Sequence, residues 1–407
     1  MKNVVITSTY TKLSHYNHEQ LAQMQGVNFF VIVRESERLA VERDFGATFP
    51  NVFGIQGTSE EEFFQQSKSY ISELMTQKEG ESFYIVTMAE DLLLVAAKLR
   101  EAFNLTGMNF EQTYRFRNKG EMKKILQKAN IRVPYFGKLD LSKSEHKAYF
   151  EEIVAEVGLP FIIKPTMMAC SNGVSKIESF DAFVEYLDDA QPNIEYGYEE
   201  FISGKLYHCD SIVSNGEVIF SSACEYTNEN MHFQKGKSVI SMPLPDDLAI
   251  SQEILAFNKA VLNELGMEQG ANHLEVFKKG DELVFLEVAC RAPGAVVVPM
   301  YERQFGFNFL NTNLEMELGL VPELSKSAKV YCFSGIFPVQ PGTAIELVEP
   351  QLQSGFDMNW NIKQGQKFDS ADSLRDIAGS IQATNQCFDT LREDFRKLID
   401  FHAVNCA

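Results

Sequence analysis

The chain has 407 residues, of which 45% are hydrophobic and 23% charged, and its formal net charge is −19. This length exceeds one ordinary hydrophobic core and predicts two or three domains, and the composition excludes a disordered chain. The negative charge argues against nucleic acid and anionic membrane as general partners, because both would be repelled.

The cysteines and the N-terminal segment indicate a compartment. The 7 cysteines form neither a CxxC pair nor a tight cluster, which is typical of free, buried thiols in a reducing cytosol. The first residues lack the long apolar core of a signal peptide, and no run approaches membrane-spanning length. A cytoplasmic protein is therefore predicted.

Strands and helices alternate at the start of the chain. Short β-branched or aromatic runs occur at residues 3–7, 28–34 and 83–87, with helical stretches such as EEEFFQQSKSYISELM between and after them. This alternation predicts a parallel α/β unit. No Gly-x-Gly-x-x-Gly motif follows the first run, so the residues do not favour a dinucleotide-binding domain.

The pattern changes near residue 113. A predicted helix closes at Gly158, and LPFIIKP is typical of a buried strand. The pair Asn215-Gly216 predicts a hairpin turn between two strands. A helix with one apolar face follows and is predicted to stop at Gly266.

Two glutamates occupy the arms of a second predicted hairpin, NHLEVFKKGDELVFLEVACR, which turns near Gly280. The even separation of Glu275 and Glu287 puts both side chains on one face of a regularly paired sheet. They become opposite or diagonal neighbours, roughly 5–8 Å apart, and repel each other unless cations lie between them. Oxygen ligands on a rigid sheet suit magnesium. The alternative is that one glutamate faces solvent and the other pairs with Arg291 or a lysine.

Two lysines favour a phosphate beside this hairpin. Lys164 ends the predicted strand FIIKP, and its ammonium can neutralise charge while backbone N–H groups of the following loop, TMMACSNGV, wrap phosphate oxygens. Lys119 stands just before a predicted helix, where helix-start amides and a cation can share an anion. Taken alone, Lys164 and its loop favour a surface hairpin, and Lys119 is one more surface lysine.

The segment YEEFISGK, at 198–205, combines carboxylates with an extended apolar stretch. Such a stretch can offer backbone N–H and C=O groups to the edge of a purine while Phe201 and Ile202 pack nearby. An ordinary edge strand is the alternative.

The order of these pieces resembles the ATP-grasp superfamily. Lys119, PFIIKP with its loop, EEFISG and then HLE…LEVACR…PG follow one another as in that family, and the chain is similar to its carboxylate–amine ligases of the L-amino acid ligase type. The resemblance implies an α/β fold, α+β in its central part. It divides the chain into an N-terminal parallel α/β domain at 1–112, a small lid subdomain with a linker helix at 113–205, and a large lobe with a closing C-terminal subdomain at 206–407.

The resemblance also implies a role for each matching residue. Two lysines would contact ATP phosphates, a loop at 166–173 would close over them, and the extended segment would read the adenine through Glu199 and the main chain. The predicted nucleotide site consists of Lys119, Lys164, Ser171, Asn172, Gly173, Glu199, Glu200, Phe201 and Ile202. Glu275 and Glu287 would hold two Mg²⁺ ions, with Mn²⁺ as the alternative. Arg291 would be the catalytic residue that faces the transferred phosphoryl group, and His273 and Gly294 would lie near the substrate.

Two positions depart from the family pattern. Many members have Asn two residues after the second glutamate, as another metal ligand, where this chain has Ala289. An acidic residue for the ribose often lies two positions past the glycine of EEFISG, where this chain has Leu206. One metal ligand and the ribose contact must therefore come from elsewhere.

The implied activity is an ATP-dependent ligation. A carboxylate, of an amino acid or related small acid, would be activated as an acyl phosphate and coupled to an amine, giving an amide or peptide bond with ADP and phosphate. The expected partners are small-molecule carboxylate and amine substrates, and a homodimer is a further expectation. Two alternatives stay open: a thiol, hydroxyl or bicarbonate acceptor, and a nucleotide-binding regulatory protein without catalysis, which Ala289 and Leu206 favour.

Overall fold

The computed structural model describes residues 1–294, 296–322, 324–325, 327–328, 330–369 and 374–407. Four sheets are formed within these ranges, one of them parallel and the others antiparallel. No helix among them is both long and apolar enough to cross a membrane. The α/β class predicted from the sequence is confirmed.

The N-terminal unit is a parallel sheet with helices packed against it. Its elements in chain order are β1 Lys2–Thr7, α1 Tyr10–Leu13, α2 His18–Ala22, β2 Val27–Arg34, α3 Glu35–Phe45, β3 Asn51–Ile55, α4 Glu60–Gln77, β4 Ser82–Val86, α5 Leu93–Ala102 and α6 Phe110–Tyr114. The strand order is β3-β2-β1-β4, with parallel pairing throughout. Parallel strands need crossover connections, which the helices supply. The predicted parallel unit is confirmed.

Strand β1 faces two cores. Val5 packs with residues of α4 and α5, whereas Val4 and Ile6 pack into a core that also contains side chains from the C-terminal half of the chain, such as Tyr301. Because β1 and β4 are neighbours, the segments that follow them lie at the same edge of the sheet, where ligands bind in open α/β sheets.

The middle of the chain builds a small antiparallel sheet with two helices on it. Its elements are α7 Lys119–Lys128, β5 Phe136–Lys138, α8 His146–Val157, β6 Phe161–Pro165, β7 Ser175–Ile177, α9 Phe180–Asp189 and β8 Tyr196–Glu200. The strand order is β5-β8-β6-β7. The helix α7 is separate from this unit, since Met122 and Leu126 lie in the core of the C-terminal lobe. Gly158 closes α8 with a φ of +83°, as predicted.

The C-terminal lobe is built on a large antiparallel sheet. Its elements are β9 Lys205–Ser214, β10 Glu217–Tyr226, β11 Val239–Pro243, α10 Ala249–Leu265, β12 Gly270–Lys279, β13 Glu282–Ala289, α11 Val297–Phe305, α12 Phe309–Glu317, β14 Tyr331–Pro338, β15 Gly342–Leu347, β16 Gly355–Trp360, β17 Lys367–Phe368, β18 Ile377–Asn385, α13 Phe388–Lys397 and β19 Val404–Cys406. The order of the eight-stranded sheet is β13-β12-β9-β10-β11-β14-β18-β16, and β17-β15-β19 form a small separate sheet.

Both predicted hairpins of this lobe are present. Asn215 and Gly216 join β9 to β10 with φ values of 50° and 77°, the left-handed conformations that a two-residue hairpin turn requires. Gly280 turns the chain between β12 and β13 with a φ of 58°. The helix α10 ends at Gly266, also as predicted.

All 7 cysteines are free thiols, as predicted. Cys209, Cys224, Cys290 and Cys332 are buried, but Cys387 is exposed. The predicted domain boundary at 112/113 falls inside α6, and the one at 205/206 falls after the first residue of β9. The division stays a prediction.

Candidate active site

The two glutamates of the second hairpin lie opposite each other. Glu275 on β12 pairs in register with Glu287 on β13, and a β-bulge follows at Val276. The two side chains are opposite neighbours, as predicted, but the pairing is not regular. Lys279 pairs with Glu282, and the bulge shifts the register so that Glu287 rather than Leu286 lies opposite Glu275. Their surroundings differ, because the Glu275 side chain is 6% exposed and the Glu287 side chain is 32% exposed.

Glu275 is held by three neighbours. Its Oε1 accepts hydrogen bonds from Asn230 Nδ2 at 2.6 Å and from the Tyr226 hydroxyl at 3.3 Å, and His273 Nε2 lies 3.6 Å away. Burial raises the pKa of Glu275, but its partners, His273 first, outweigh burial and lower it. Glu275 is therefore a fixed, ionised carboxylate at neutral pH.

Glu287 contacts a lysine instead. Lys119 Nζ lies 3.1 Å from Glu287 Oε2 and donates to the Met168 carbonyl at 2.6 Å. Lys119 is the first residue of α7, not the residue before it, and its backbone N–H donates to the Thr166 carbonyl. This pair matches the alternative interpretation for one glutamate, and it connects the helix, the 166–173 loop and β13 through one ammonium.

Glu199 lies between two buried lysines. Its carboxylate oxygens are 2.6 Å from Lys164 Nζ and 2.7 Å from Lys123 Nζ. Burial raises the pKa of Glu199, but the two ammonium groups lower it to about 2. Burial lowers the pKa of Lys123 to about 8, whereas Glu199 and Glu287 outweigh burial at Lys164 and raise its pKa. All three groups are charged at pH 7.

Arg291 pairs with Glu90, which follows β4. The guanidinium Nε lies 2.7 Å from Glu90 Oε2, Nη2 contacts the same oxygen, and Arg117 pairs with the other oxygen. Burial raises the pKa of Glu90, but Arg291 and Arg117 lower it to about 2. One carboxylate thus serves two arginines, which leaves local positive charge uncompensated.

A buried polar network lies behind Glu275. Asp210 Oδ1 is 2.6 Å from His273 Nδ1, and Asp210 Oδ2 accepts from the Tyr301 hydroxyl at 2.8 Å and lies 2.9 Å from His208 Nδ1. Burial lowers the pKa of His273, but Asp210 outweighs burial and raises it to about 9. Asp210 therefore fixes the orientation and charge of the imidazole that faces Glu275.

One cavity of about 620 Å³ is lined by Glu90, Lys119, Lys164, Glu199, His273, Glu275, Glu287 and Arg291. Every site residue predicted from the sequence lines it except Gly173, which adjoins Pro165. The predicted site is thus brought together by the fold. His273 and Gly294, the predicted substrate residues, also lie in its wall.

The extended segment after β8 forms another part of the wall. The backbone N–H of Glu200 donates to the Tyr135 carbonyl at 2.7 Å, so this donor is already occupied. The Glu200 carboxylate pairs with Arg132 at 2.6 Å and with Lys279 at 3.1 Å. Ile202 lines the cavity, and its main chain remains the predicted contact to a base.

The structure shows what surrounds Ala289 and Leu206, the two positions that depart from the family pattern. Ala289 pairs in register with His273 and offers no oxygen ligand, but the Asn230 side-chain amide reaches Glu275 and lines the cavity. Leu206 is a buried apolar part of the cavity wall.

Sequence reasoning missed several of these residues. Lys123 lies four residues after Lys119 on one helical face, a spacing that was available as a signal. Glu90 follows a strand of the predicted parallel unit, where site residues are common. His208 and Asp210 share one face of β9, but their partners come from β12 and α11, which no local pattern indicates.

Comparison with known proteins agrees with this geometry. The ATP-grasp domain family matches residues 157–299. A region of 268 residues is 27% identical to the L-arginine-specific L-amino acid ligase of Bacillus subtilis and takes in 63% of this chain and 62% of that relative. The chain therefore matches less than two thirds of that relative's length.

Solved structures share the fold. The L-amino acid ligase from Bacillus licheniformis superposes with a TM-score of 0.74 at 17% identity, covering 100% of this chain and 99% of that one. The biotin carboxylase domain of Hydrogenobacter thermophilus 2-oxoglutarate carboxylase, solved with MgADP, ADP and bicarbonate, gives a TM-score of 0.68 at 12% identity, covering 99% and 90%. Residues 157–299 therefore resemble an ATP-grasp domain, and the chain shares its fold with these solved structures.

Proposed function

We propose that this protein is an ATP-dependent ligase that activates a carboxylate as an acyl phosphate and couples it to an amine. The observation that carries the proposal is the in-register pair Glu275 and Glu287 in the wall of the cavity that also holds Lys119, Lys164 and Arg291. The similarity to an L-amino acid ligase supports an amino acid or a related small acid as the carboxylate.

The oxygen donors fit magnesium. Glu275 and Glu287 offer carboxylate oxygens from a rigid hairpin, and Asn230 would add an amide oxygen in place of the ligand absent at Ala289. Hard oxygen donors with open positions toward a cavity are what Mg²⁺ prefers, and two ions, or Mn²⁺, suit the same set. Bound magnesium would supply the positive charge that neutralises the ATP phosphate oxygens.

The lysines would bind the phosphates. Once Glu287 turns to a metal, Lys119 is released for a phosphate oxygen, and Lys164 keeps its charge because Glu199 compensates its burial. Both ammonium groups then lower the charge that the attacking carboxylate meets.

The chemistry runs in two substitutions. A carboxylate does not react with an amine at neutral pH, because the leaving group would be oxide. Attack of a substrate carboxylate oxygen on the γ-phosphorus forms an O–P bond and breaks the bond to ADP. The amine then attacks the acyl carbon, a C–N bond forms, phosphate leaves and the amine loses a proton. Arg291, permanently charged and forked, suits the phosphoryl oxygens and then the tetrahedral oxyanion.

The 166–173 loop would exclude water from the acyl phosphate. Lys119 and Arg117 hold the loop through the Met168 and Met167 carbonyls, at 2.6 and 2.7 Å. A loop tied to the phosphate-binding lysine can close when ATP is bound.

The test is phosphate release from ATP that depends on added acid and amine. Purified protein is screened with pairs of L-amino acids, and products are identified by mass spectrometry. An amide product with ADP and phosphate is expected. ATP binding without turnover for any pair would favour the regulatory protein, and turnover with a thiol, hydroxyl or bicarbonate acceptor alone would favour the other alternative. Cytoplasmic location and a homodimer stay predictions of the sequence.

A further inference from the structure

Among the residues that the structure describes, one cation in the cavity wall lacks an acidic partner. Five lysine and arginine side chains line the cavity. Four of them contact a carboxylate, as the pairs Lys119–Glu287, Lys164–Glu199, Arg291–Glu90 and Arg375–Asp91. Across the described part of the chain, no acidic oxygen lies within ion-pair distance of the Lys12 ammonium. Lys12 is half-buried at α1, directly after β1.

The charges around Lys12 do not supply a partner. Two acids lie near Lys12: Glu90, which is already shared by Arg291 and Arg117, and Asp91, which lies 3.5 Å from Arg375. Arg291 adds repulsion, and burial together with Arg291 lowers the pKa of Lys12 to about 8. An unpaired, partly desolvated ammonium is costly in a chain with 56 acidic side chains, unless a ligand completes it.

His15 adds a second unsatisfied group in the same wall. Its Nδ1 is buried and has no hydrogen-bond partner, and the residue lines the cavity three positions after Lys12. Burial and the Lys12 charge lower the pKa of His15 to about 4, so the imidazole is neutral and can hydrogen-bond a ligand. One full charge and one neutral polar group suit a single carboxylate.

We propose that Lys12 binds the carboxylate of the acceptor, so that the amine substrate is an amino acid or a similar amino-carboxylate. This inference rests on the proposed ligase function, because the acceptor is the amine substrate of that reaction. The carboxylate of the donor is consumed beside Arg291, and the ATP phosphates have Lys119 and Lys164. These assignments leave one anion, the carboxylate of the acceptor, and Lys12, a cavity cation without an assigned ligand.

The experiment measures binding, which does not require turnover. Calorimetric titrations with saturating ADP and Mg²⁺ compare each of the L-amino acids with its carboxamide, for the wild type and for Lys12→Met. A charge-assisted contact is worth about tenfold to hundredfold in Kd. The wild type should bind at least one amino acid that much more tightly than its amide, and Lys12→Met should bind both alike. Lys12→Arg, and Lys124→Met on the exposed face of α7, should keep the preference.

Two results would overturn the assignment: a wild type without preference for the acid, or a Lys12→Met protein that keeps it. Circular dichroism confirms that the variant is folded, and Lys12→Gln replaces it where Met impairs folding. Phosphate release, measured separately, reports on the ligase itself. A Lys12-dependent preference without turnover for any pair would overturn the ligase proposal but leave the carboxylate site in place.

Discussion

The lysines at the two ends of the cavity differ in whether they are paired with a carboxylate. At the phosphate end, formed by Lys119, Lys164, Glu199 and Glu287, each ammonium contacts a carboxylate, and Lys164 is further buried with its counter-charge. At the acceptor end, the site proposed around Lys12, this lysine faces the cavity without an ion-pair partner in the described ranges of the chain. The buried charges at the phosphate end already compensate each other, so a nucleotide that binds there must replace existing ion-pair partners. An unpaired ammonium gains its first partner from the ligand.

The substitution with the largest expected effect on the phosphate end is Glu287→Gln. Loss of one carboxylate from the proposed metal site should lower ligase turnover about a thousandfold. Stability should change by less than about 1 kcal/mol, because the side chain is part-exposed and has one lysine partner. Phosphate release and denaturant unfolding measure the two quantities. Glu282→Gln, on the exposed start of β13, is the matched control, and unchanged turnover in Glu287→Gln would falsify the metal assignment.

Removing the counter-charge of two lysines should cost stability. Glu199→Gln leaves Lys123 and Lys164 buried without a carboxylate, and breaking a buried ion pair costs about 3–5 kcal/mol. Folding lowers the pKa of Glu199 from 4.5 to about 2, so its contribution is present above pH 4.5 and is lost as the pH falls toward 2.

Urea unfolding at pH 7 and at pH 4 measures both effects of Glu199→Gln. The control is Glu178→Gln, whose exposed pair with Lys176 should contribute less than about 1 kcal/mol. Equal stability losses in the two variants would contradict the view that the phosphate end is a compensated, buried cluster.

Arg291→Lys tests the reaction step between the two ends. The charge remains but the forked donor geometry is lost, so turnover should fall about a hundredfold. The KM for ATP should change little, since the phosphates are assigned to Lys119 and Lys164. Steady-state phosphate release measures both constants, with Arg303→Lys, exposed on α11, as the control. A variant with normal kcat would remove Arg291 from the reaction.

The facing glutamates of the hairpin were predicted from the sequence, but by a rule that assumes regular pairing. The turn pairs Lys279 with Glu282, so regular pairing would put Leu286 opposite Glu275, and the β-bulge beside Val276 brings Glu287 there instead. Their different burial was not predictable, because it follows from sheet order: β12 lies between β9 and β13, whereas β13 is an edge strand.

The acceptor end was not predictable for the same reason. Lys12 and Glu90 approach because β1 and β4 are neighbours in the order β3-β2-β1-β4, and no local pattern contains that order. Asp210 is similar: its spacing from His208 is visible in the sequence, but the contacts with His273 and Tyr301 depend on how strands and helices pack.

The smallest expected effect is a pH dependence confined to the acceptor end. A carboxylate binds protonated Lys12, so affinity should be constant below its pKa and fall as the pH rises through about 8. The change is about tenfold between pH 7 and pH 9. Of the groups near Lys12, Arg291 stays charged, Glu90 stays ionised and His15 stays neutral over this range. Asp91 and Cys170 are its other neighbours.

Calorimetric titration of the preferred amino acid across pH 6.5–9.5 checks this, with the carboxamide as reference because its weaker binding should lack the same dependence on Lys12. Lys12→Arg is the sharper control, since a guanidinium stays charged throughout and should flatten the profile. If the affinity of the wild type falls equally for the acid and the amide, the titrating group is the substrate amine. Lys12 would then have no part in the pH dependence. A fall for the acid alone that Lys12→Arg abolishes would identify Lys12 as the titrating group that binds the carboxylate.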